Sequence, residues 1–598
     1  MRPPATALIT LLVSSVLATA CAKDETCSAP GVLVSIGVDA NVKIEDIVKI
    51  GIEASLDTSR RTGELSAGAV GLGSGDADRF ALTFTNKEIT STHTLELTLS
   101  AFDRDGALVA IGRADPAITV RAGEACASAV VTLLPPTGGN AAVVDLSKPG
   151  AKPDVELTAT AGTGPIVVCD FNGDGVDDIA FAAPQADGEL GRQNAGEVYL
   201  LFGPELGGAQ GVTEVTKAQV AMKVVGGAPG DGIGASLACA DLDGMRGDDL
   251  IIGAPEAGNA GRVYVFFGRT KPTSSVIDLS TASADAEIGS ANAGDRFGAA
   301  LAVARGFASG KLGSLIVGAP GAGSGGAAYI IGGRDEAAWG AGVDLATDGA
   351  LLTVVGAAGE GLGAALASGN LLGDTDDRQD VAIGAPQGGK SGCSDCGVVR
   401  VVAAKVIAAS ATIDVAQGEH ALTVWGASGA SKLGQSLAIG DHDGDGLGDL
   451  LIGAPNDEGK GKVYVVVGDA SLLAASGQPA NAIEIKDGHK AVYLGTTGSQ
   501  LGSAVAASGG AGSRADLIVG APGIDSSKGA VYQFVGHALA PKETIQLEDA
   551  RLKTVLGAKQ NDRLGASVAS GLFGSDSAVD LIIAAPGAKT VYGIFSTK

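Results

Sequence analysis

Asp449-Leu450-Leu451-Ile452-Gly453-Ala454-Pro455 decides the fold, because the chain repeats it. Apolar runs ending in Ala-Pro recur with prolines at Pro184, Pro255, Pro320, Pro386, Pro455, Pro522 and Pro586. The successive gaps are 71, 65, 66, 69, 67 and 64 residues, so one unit fills the chain from about residue 142 onward. Self-similarity at a fixed period sets the architecture before any single residue does, and repeat arrays present surfaces more often than active sites.

Three further pieces accompany each such run. A short strand opens the unit: Val144-Asp145-Leu146, Thr213-Glu214-Val215, Ile277-Asp278-Leu279, Val343-Asp344-Leu345, Ile413-Asp414-Val415, Ile483-Glu484-Ile485 and Ile545-Gln546-Leu547. A Gly-led strand follows, as in Leu433-Gly434-Gln435-Ser436-Leu437-Ala438 or Phe297-Gly298-Ala299-Ala300-Leu301. After the Ala-Pro run comes a hairpin partner such as Lys462-Val463-Tyr464-Val465-Val466. Four strands per unit and seven units predict an all-β fold, a seven-bladed β-propeller over residues 142–598. Gly permits close backbone approach near a crowded axis, and Pro ends a strand where no ladder donor is needed. The last unit stops at Lys598 without a following short strand, and Val144-Asp145-Leu146 has no blade before it. Strand 143–146 is therefore expected to complete the seventh blade and remove both exposed edges.

These features resemble the FG-GAP repeats of the integrin α-subunit head. The resemblance covers about residues 142–598 and implies a seven-bladed propeller with adhesion-type recognition of a partner. The first unit departs from it, with Gly162-Thr163-Gly164-Pro165 where other units have Phe-Gly, Leu-Gly or Ile-Gly.

Upstream, residues 28–135 carry no copy of the repeat. They alternate apolar and polar residues over Val32 to Val38, Val48 to Ala54, Phe80 to Phe84, Thr94 to Ser100, Ala107 to Ile111, Ala117 to Val120 and Ala129 to Leu134. Seven such runs suggest a small immunoglobulin-like β-sandwich, and residues 136–141 a linker. Residues 1–20 read as a signal peptide, with Arg2 as the basic region and an apolar run from Ala5 to Ala20. Leu17-Ala18-Thr19-Ala20-Cys21 resembles a lipoprotein signal that lipidates Cys21 and leaves residues 21–27 as a tether; the alternative is ordinary secretory cleavage after Ala20. Ala22 follows that Cys in place of the Asp that commonly retains lipoproteins in the inner membrane, so the resemblance implies an outer-membrane anchor, periplasmic or surface-facing. Six cysteines remain. Cys27 with Cys126, Cys169 with Cys239 and Cys393 with Cys396 are the candidate disulfide pairs for an oxidising compartment.

The units differ in the loop that precedes the Ala-Pro strand. In the fifth, Asp441-His442-Asp443-Gly444-Asp445-Gly446-Leu447-Gly448-Asp449 sets carboxylates at positions 1, 3, 5 and 9 and Gly at 6. A hard cation such as Ca2+ needs this oxygen-rich set, with the Leu447 carbonyl at position 7 as a further ligand. The first unit repeats it with Asp170, Asn172, Asp174, the Val176 carbonyl and Asp178. An EF-hand would need Glu at position 12, where Ile452 and Phe181 stand. Weaker candidates are Asp241, Asp243 and Asp249, with Met245 at position 5, and Asp374, Asp376 and Asp380 in altered spacing.

The five histidines, His93, His420, His442, His489 and His537, are scattered without paired-ligand spacing and are expected on the surface. No nucleophile elbow or phosphate-binding Gly loop before a helix appears, so no enzyme is expected. A net charge of −25 disfavours nucleic acid and anionic lipid as partners. The expectation is a monomeric, calcium-binding, lipid-anchored envelope protein that recognises a protein or glycan partner and meets the membrane only through its lipid. The alternatives are a non-catalytic scaffold of an outer-membrane complex, or an accessory protein related to propeller-bearing phospholipases.

Overall fold

The computed structural model describes residues 142–594 apart from 149–152, 189–190, 204–210, 215–219, 246, 271–274, 291, 306–311, 340–341, 346–348, 374–377, 405–411, 473–480, 509–513, 538, 540–541, 548–550 and 572–578; before them it describes strands Leu12–Ser14 and eight between residues 31 and 133. The chain divides into two compact units, the second made of Val143–Gly510, Arg514–Leu547 and Lys553–Lys598.

In the C-terminal unit the repeated apolar runs form the second strand of each of seven sheets: Asp178–Ala183, Asp249–Ala254, Gly313–Ala319, Asp380–Ala385, Asp449–Ala454, Leu517–Ala521 and Asp580–Ala585. Every residue of these strands is buried. The first shows why no polar alternation is visible. Ile179, Phe181 and Ala183 pack into the core shared with the seventh blade, whereas Ala180 and Ala182 pack into the core shared with the second. A strand buried on both faces reads as a continuous apolar run.

Inner strands lie toward the axis, from Ile166–Cys169 in the first blade to Ser567–Gly571 in the seventh. Each contacts the inner strand of the next blade, and the seventh contacts the first, so the ring is closed. Their small, half-exposed Ala, Ser and Gly residues suit the narrow end of the taper. The paired glycines of the repeat meet between blades. A Cβ on Gly453 would lie 2.2 Å from the Gly502 carbonyl, and one on Gly520 would lie 1.9 Å from that of Gly565. Gly502 and Gly565 also have φ of 85° and 87°. The first unit begins irregularly, as its sequence suggests: Gly164 donates to the Ala182 carbonyl like its counterparts but is absent from the positive-φ glycines.

Each blade has five strands rather than the expected four. The fourth is a run the sequence reading left out, such as Met222–Val225 or Leu422–Trp425, antiparallel to the third. The short strand that opens each unit becomes the fifth strand of the preceding blade, parallel to that blade's fourth: Val276–Asp278 pairs with Met222–Val225, and Asn481–Glu484 with Leu422–Trp425. This offset corrects the closure. Strand Ala142–Asp145 does not complete the seventh blade; it is the edge strand of the sixth, beside Arg551–Leu556. The seventh blade takes its fourth strand from Val155–Thr158, antiparallel to Thr590–Ile594, and its fifth from Gly211–Glu214. The seventh sheet thus joins strands Ser567–Gly571, Asp580–Ala585 and Thr590–Ile594 to two from the first part of the propeller.

The N-terminal unit contains two sheets. In one, Gly31–Val38 pairs antiparallel with Arg79–Thr83 and parallel with Ala127–Leu133, and Leu12–Ser14 lies beside Arg79–Thr83. In the other, Lys49–Leu56 lies between Ser59–Ser66 and His93–Phe102. Ser59–Ser66 has no counterpart among the expected strands, because Arg60, Arg61, Thr62 and Glu64 hide the apolar alternation. Cys21, Cys27 and Cys126 lie outside the described residues. Among the described residues, no helix is long and apolar enough to cross a membrane.

Candidate metal centre

The acidic loops connect the inner strand of a blade to its second strand, so all lie at one end of the ring. Position 9 is the first residue of the second strand in the first, second, fourth and fifth blades, and Asp has a structural task there in all four. Asp449 is fully buried; its Oδ2 accepts from the backbone N–H of His442 (2.8 Å) and Asp443 (2.9 Å), and its Oδ1 from Gly468 (3.1 Å). Asp178 does the same with Phe171, Asn172 and Gly203, Asp249 with Leu242 and Gly268, and Asp380 with Leu371, Leu372 and Ala404. In the third blade Ser314 replaces it, with its hydroxyl buried and unpaired. The position 9 carboxylate therefore pins the loop to its own blade whether or not the loop carries further acids.

In the fifth loop, carboxylate oxygens of Asp441, Asp443 and Asp449 lie within 4.8 Å of one another. Local turns aim them: Asp441 accepts from Gly446 N (3.0 Å), Asp443 from Asp445 N (3.1 Å) and Asp445 from Leu447 N (2.9 Å). Each of these bonds occupies one carboxylate oxygen. Asp441 Oδ1 is buried with no hydrogen-bond partner among the described residues. Burial, reinforced by Asp445 and Asp443, pushes the Asp441 carboxyl up to about 6. Asp449 is pushed up to about 7 by burial and then by the Asp443 charge. Asp445 is exposed and stands outside the converging trio.

The first loop has the same spacing and a different outcome. Asp170 accepts from Asp174 N (2.9 Å) and Gly175 N (2.8 Å), and Asp174 Oδ1 from Val176 N (2.8 Å). Asn172 accepts from Asp174 N (2.8 Å), and its Nδ2 donates to Asp174 Oδ2 at 3.0 Å. An amide at position 3 supplies the donor that a carboxylate lacks, so the loop satisfies itself. Asp178 is raised to about 7, chiefly by burial. In the second loop, Asp241, Asp243 and Asp249 bring oxygens within 4.8 Å although Met245, 62 % exposed, occupies position 5. Of the fourth-unit candidates, Asp374 and Asp376 lie outside the described residues, and Asp380 is the pinning residue described above.

Adjacent loops are tied together. The position 1 carbonyl accepts from the next blade: Asp170 from Asp248 N (2.8 Å), Asp241 from Gly313 N (2.9 Å) and Asp441 from Ala515 N (2.6 Å). His442 belongs to this seam and corrects the expectation of surface histidines. It is fully buried; Nδ1 donates to the Ala515 carbonyl (2.9 Å), and Nε2 accepts from the Tyr493 hydroxyl (2.7 Å). Burial pushes its pKa down to about 3, so the ring is neutral. His420 and His537 are buried as well. Position 2 carries Phe171 and Leu242 in the first two blades, and that apolar register was the signal that His442 faces inward. Arg514, from the sixth blade, donates to the Asp443 carbonyl at 2.7 Å, and its place could not be read from sequence.

A disulfide joins Cys169 to Cys239 across the first and second inner strands, as expected, with Cα atoms 6.1 Å apart. Cys393 and Cys396 correct the third pairing. They are free thiols, with Cys396 Sγ donating to the Cys393 carbonyl at 3.1 Å in a tight turn that also binds Lys390 N to that carbonyl.

Seven like sheets closed into a ring, with acidic loops at one end, define a seven-bladed β-propeller. Residues 162–201 and 433–466 match the FG-GAP repeat. The matched units are the two with the full acidic pattern. Among solved structures, exotype rhamnogalacturonan lyase YesX is 11 % identical over 96 % of this chain and 90 % of that one, at a TM-score of 0.31. Rhamnogalacturonan lyase YesW is 13 % identical over 96 % and 91 %, at a TM-score of 0.29. Likeness at that level carries neither fold nor activity to this chain.

Proposed function

We propose that the protein is a calcium-stabilised binding module of the cell envelope, lipid-anchored at Cys21, that recognises a protein or glycan through its propeller without catalysis of its own. The observation that carries the calcium reading is the orphaned Asp441 Oδ1 beside the Asp443 and Asp449 oxygens. A buried acceptor without a donor is costly, and clustered carboxylates repel. Both costs are relieved by a hard cation, for which Asp441, Asp443, Asp445, Asp449 and the Leu447 carbonyl supply an oxygen-only donor set. Bound calcium would contribute charge neutralisation and loop rigidity. Recognition of a partner is supported by the repeat fold, and the net charge of −25 favours a partner with a basic face.

Titration calorimetry of the chelator-stripped chain with calcium chloride tests the metal. Saturable binding is expected, weakened at least about tenfold in Asp441→Asn, because one charged ligand is lost. An unchanged isotherm in that variant would refute the assignment. For the anchor, Cys21→Ser is expected to move the protein from the membrane fraction to the soluble fraction and to abolish fatty-acid labelling.

A further inference from the structure

A cavity of about 330 Å³ opens beside the third strand of the second blade, Arg262–Phe266. Two polar side chains, each more than nine-tenths buried, reach it. Asp231 is 8 % exposed, and its Oδ2 accepts from Ala228 N at 2.7 Å. Tyr264 is 7 % exposed. Asp231 Oδ1 and the Tyr264 hydroxyl have no hydrogen-bond partner among the described residues. At the rim, Arg262 is engaged by Glu287, and both are more than a third exposed.

Three sister blades show what such a carboxylate and hydroxyl pair ordinarily holds. In the first, Glu197 receives the Tyr199 hydroxyl and the Lys223 ammonium, the latter at 2.7 Å. In the fifth, Asp457 receives the Tyr464 hydroxyl at 2.6 Å, with Lys462 Nζ 3.8 Å away. In the fourth, Arg400 stands in the tyrosine position and pairs with Glu360 while donating to the Thr423 hydroxyl at 2.8 Å. Each set contains a cation from its own blade. The second blade has the acid and the hydroxyl, but its cation, Arg262 in the register place of Lys462, is engaged by Glu287, and a cavity lies beside the pair. The sequence accounts for both halves of that difference. Ala257-Gly258 stand where the fifth blade has Asp457-Glu458, which leaves room. Opposite the tyrosine, the first blade has Lys223 and the second has Glu287, an acid that engages Arg262.

We propose that this cavity binds an organic cation with N–H donors, a primary ammonium or guanidinium group, held by the Asp231 carboxylate and the Tyr264 hydroxyl. Asp231 and Glu287 outweigh Arg262 by one negative charge, and the chain's charge of −25 concentrates cations near it. A hard divalent ion is a poor fit, because it wants six or more oxygens and the cavity offers few. The volume is at the small end of ligand sites and suits one side chain or one small amine. The cation has two sources, a free alkylamine or a lysine or arginine side chain of a protein partner. The site shares no residue with the acidic loops and does not depend on their metal.

Calorimetry of the full chain at fixed calcium, with n-butylammonium chloride and with a lysine-centred pentapeptide and its Nε-acetylated form, tests this. One saturable site is expected. Binding of butylammonium points to a free amine, and binding of the unacetylated peptide alone points to a partner's side chain. In Asp231→Asn, affinity should fall at least about tenfold, the loss expected for a charge-assisted bond. Glu287→Lys transplants the first-blade arrangement and should abolish binding by filling the cavity. Glu256→Lys, with the same charge change on an exposed residue outside the cavity, should leave affinity within about twofold. Absence of saturable binding of every probe, or binding indifferent to both Asp231→Asn and Glu287→Lys, would overturn the proposal.

Discussion

The first and second blades are joined by a disulfide where the fifth and sixth are held by hydrogen bonds and packing. At the first seam, the disulfide joins Cys169, immediately before the loop that begins at Asp170, to Cys239, two residues before the loop that begins at Asp241. At the fifth, Gly440 occupies the place before Asp441, and a Cβ there would lie 2.6 Å from that of Ala507. Close approach, the Ala515-to-Asp441 bond, the buried His442 and the Arg514 contact hold that seam. The loops differ in the same sense. The stapled one satisfies its own carboxylates through Asn172; the unstapled one gathers carboxylates that leave Asp441 Oδ1 unpaired. One repeat is thus held in two ways, and its two loops differ at position 3, Asn172 in one and Asp443 in the other.

The largest expected effect tests what the two seams share. Asp449→Ala strands three backbone N–H groups, and Asp178→Ala does the same in the first blade. Each substitution should cost about 3–5 kcal/mol by urea unfolding, since uncompensated buried donors are added to a lost charge. Asp445→Ala, at an exposed position, should stay within about 0.5 kcal/mol when measured in chelator. Equal losses for Asp445 and Asp449 would show that position 9 is only a ligand. The second effect separates the seams. Cys169→Ser with Cys239→Ser opens a loop of 70 residues and should cost about 2–4 kcal/mol. Calcium affinity of the fifth loop should not change, and a parallel loss there would mean that the seams are coupled around the ring.

The sequence showed the ring well because its signals are local: the Ala-Pro strands, the glycine pairs and the first unit's irregular start all lie within single units. It showed the blade poorly because the outer half of each blade is exchanged. Val276–Asp278 reads as the start of its own unit, yet its partner, Met222–Val225, belongs to the preceding blade. A parallel edge strand has no hairpin to reveal its neighbour, which is why Ala142–Asp145 was expected on the seventh blade, whereas the count of four strands left out the antiparallel fourth, such as Met222–Val225. The acidic loops were legible as ligand types at fixed spacing. Spacing alone did not reveal that Asp449 also pins its loop, or that an amide and a carboxylate at position 3 set different rotamers. Arg514 and the Lys223 of the Tyr199 cluster come from other elements and leave no mark at the loop or tyrosine they serve.

The smallest expected effect is also the sharpest for the loops, because it exchanges one atom type at position 3. Asn172→Asp removes the Nδ2 donor from Asp174 Oδ2 and adds a charge, making the first loop like the fifth. Its calcium affinity should rise about tenfold, while stability in chelator should fall by about 1 kcal/mol as a hydrogen bond becomes a repulsion. Asp443→Asn should do the reverse in the fifth loop: weaker calcium binding, higher stability without the ion. Calorimetry and thermal melting of the two variants in parallel read both signs. If calcium affinity moves but chelator stability does not, repulsion in the fifth loop is already relieved by the protein. The nearby Arg514 guanidinium would then be the group that relieves it.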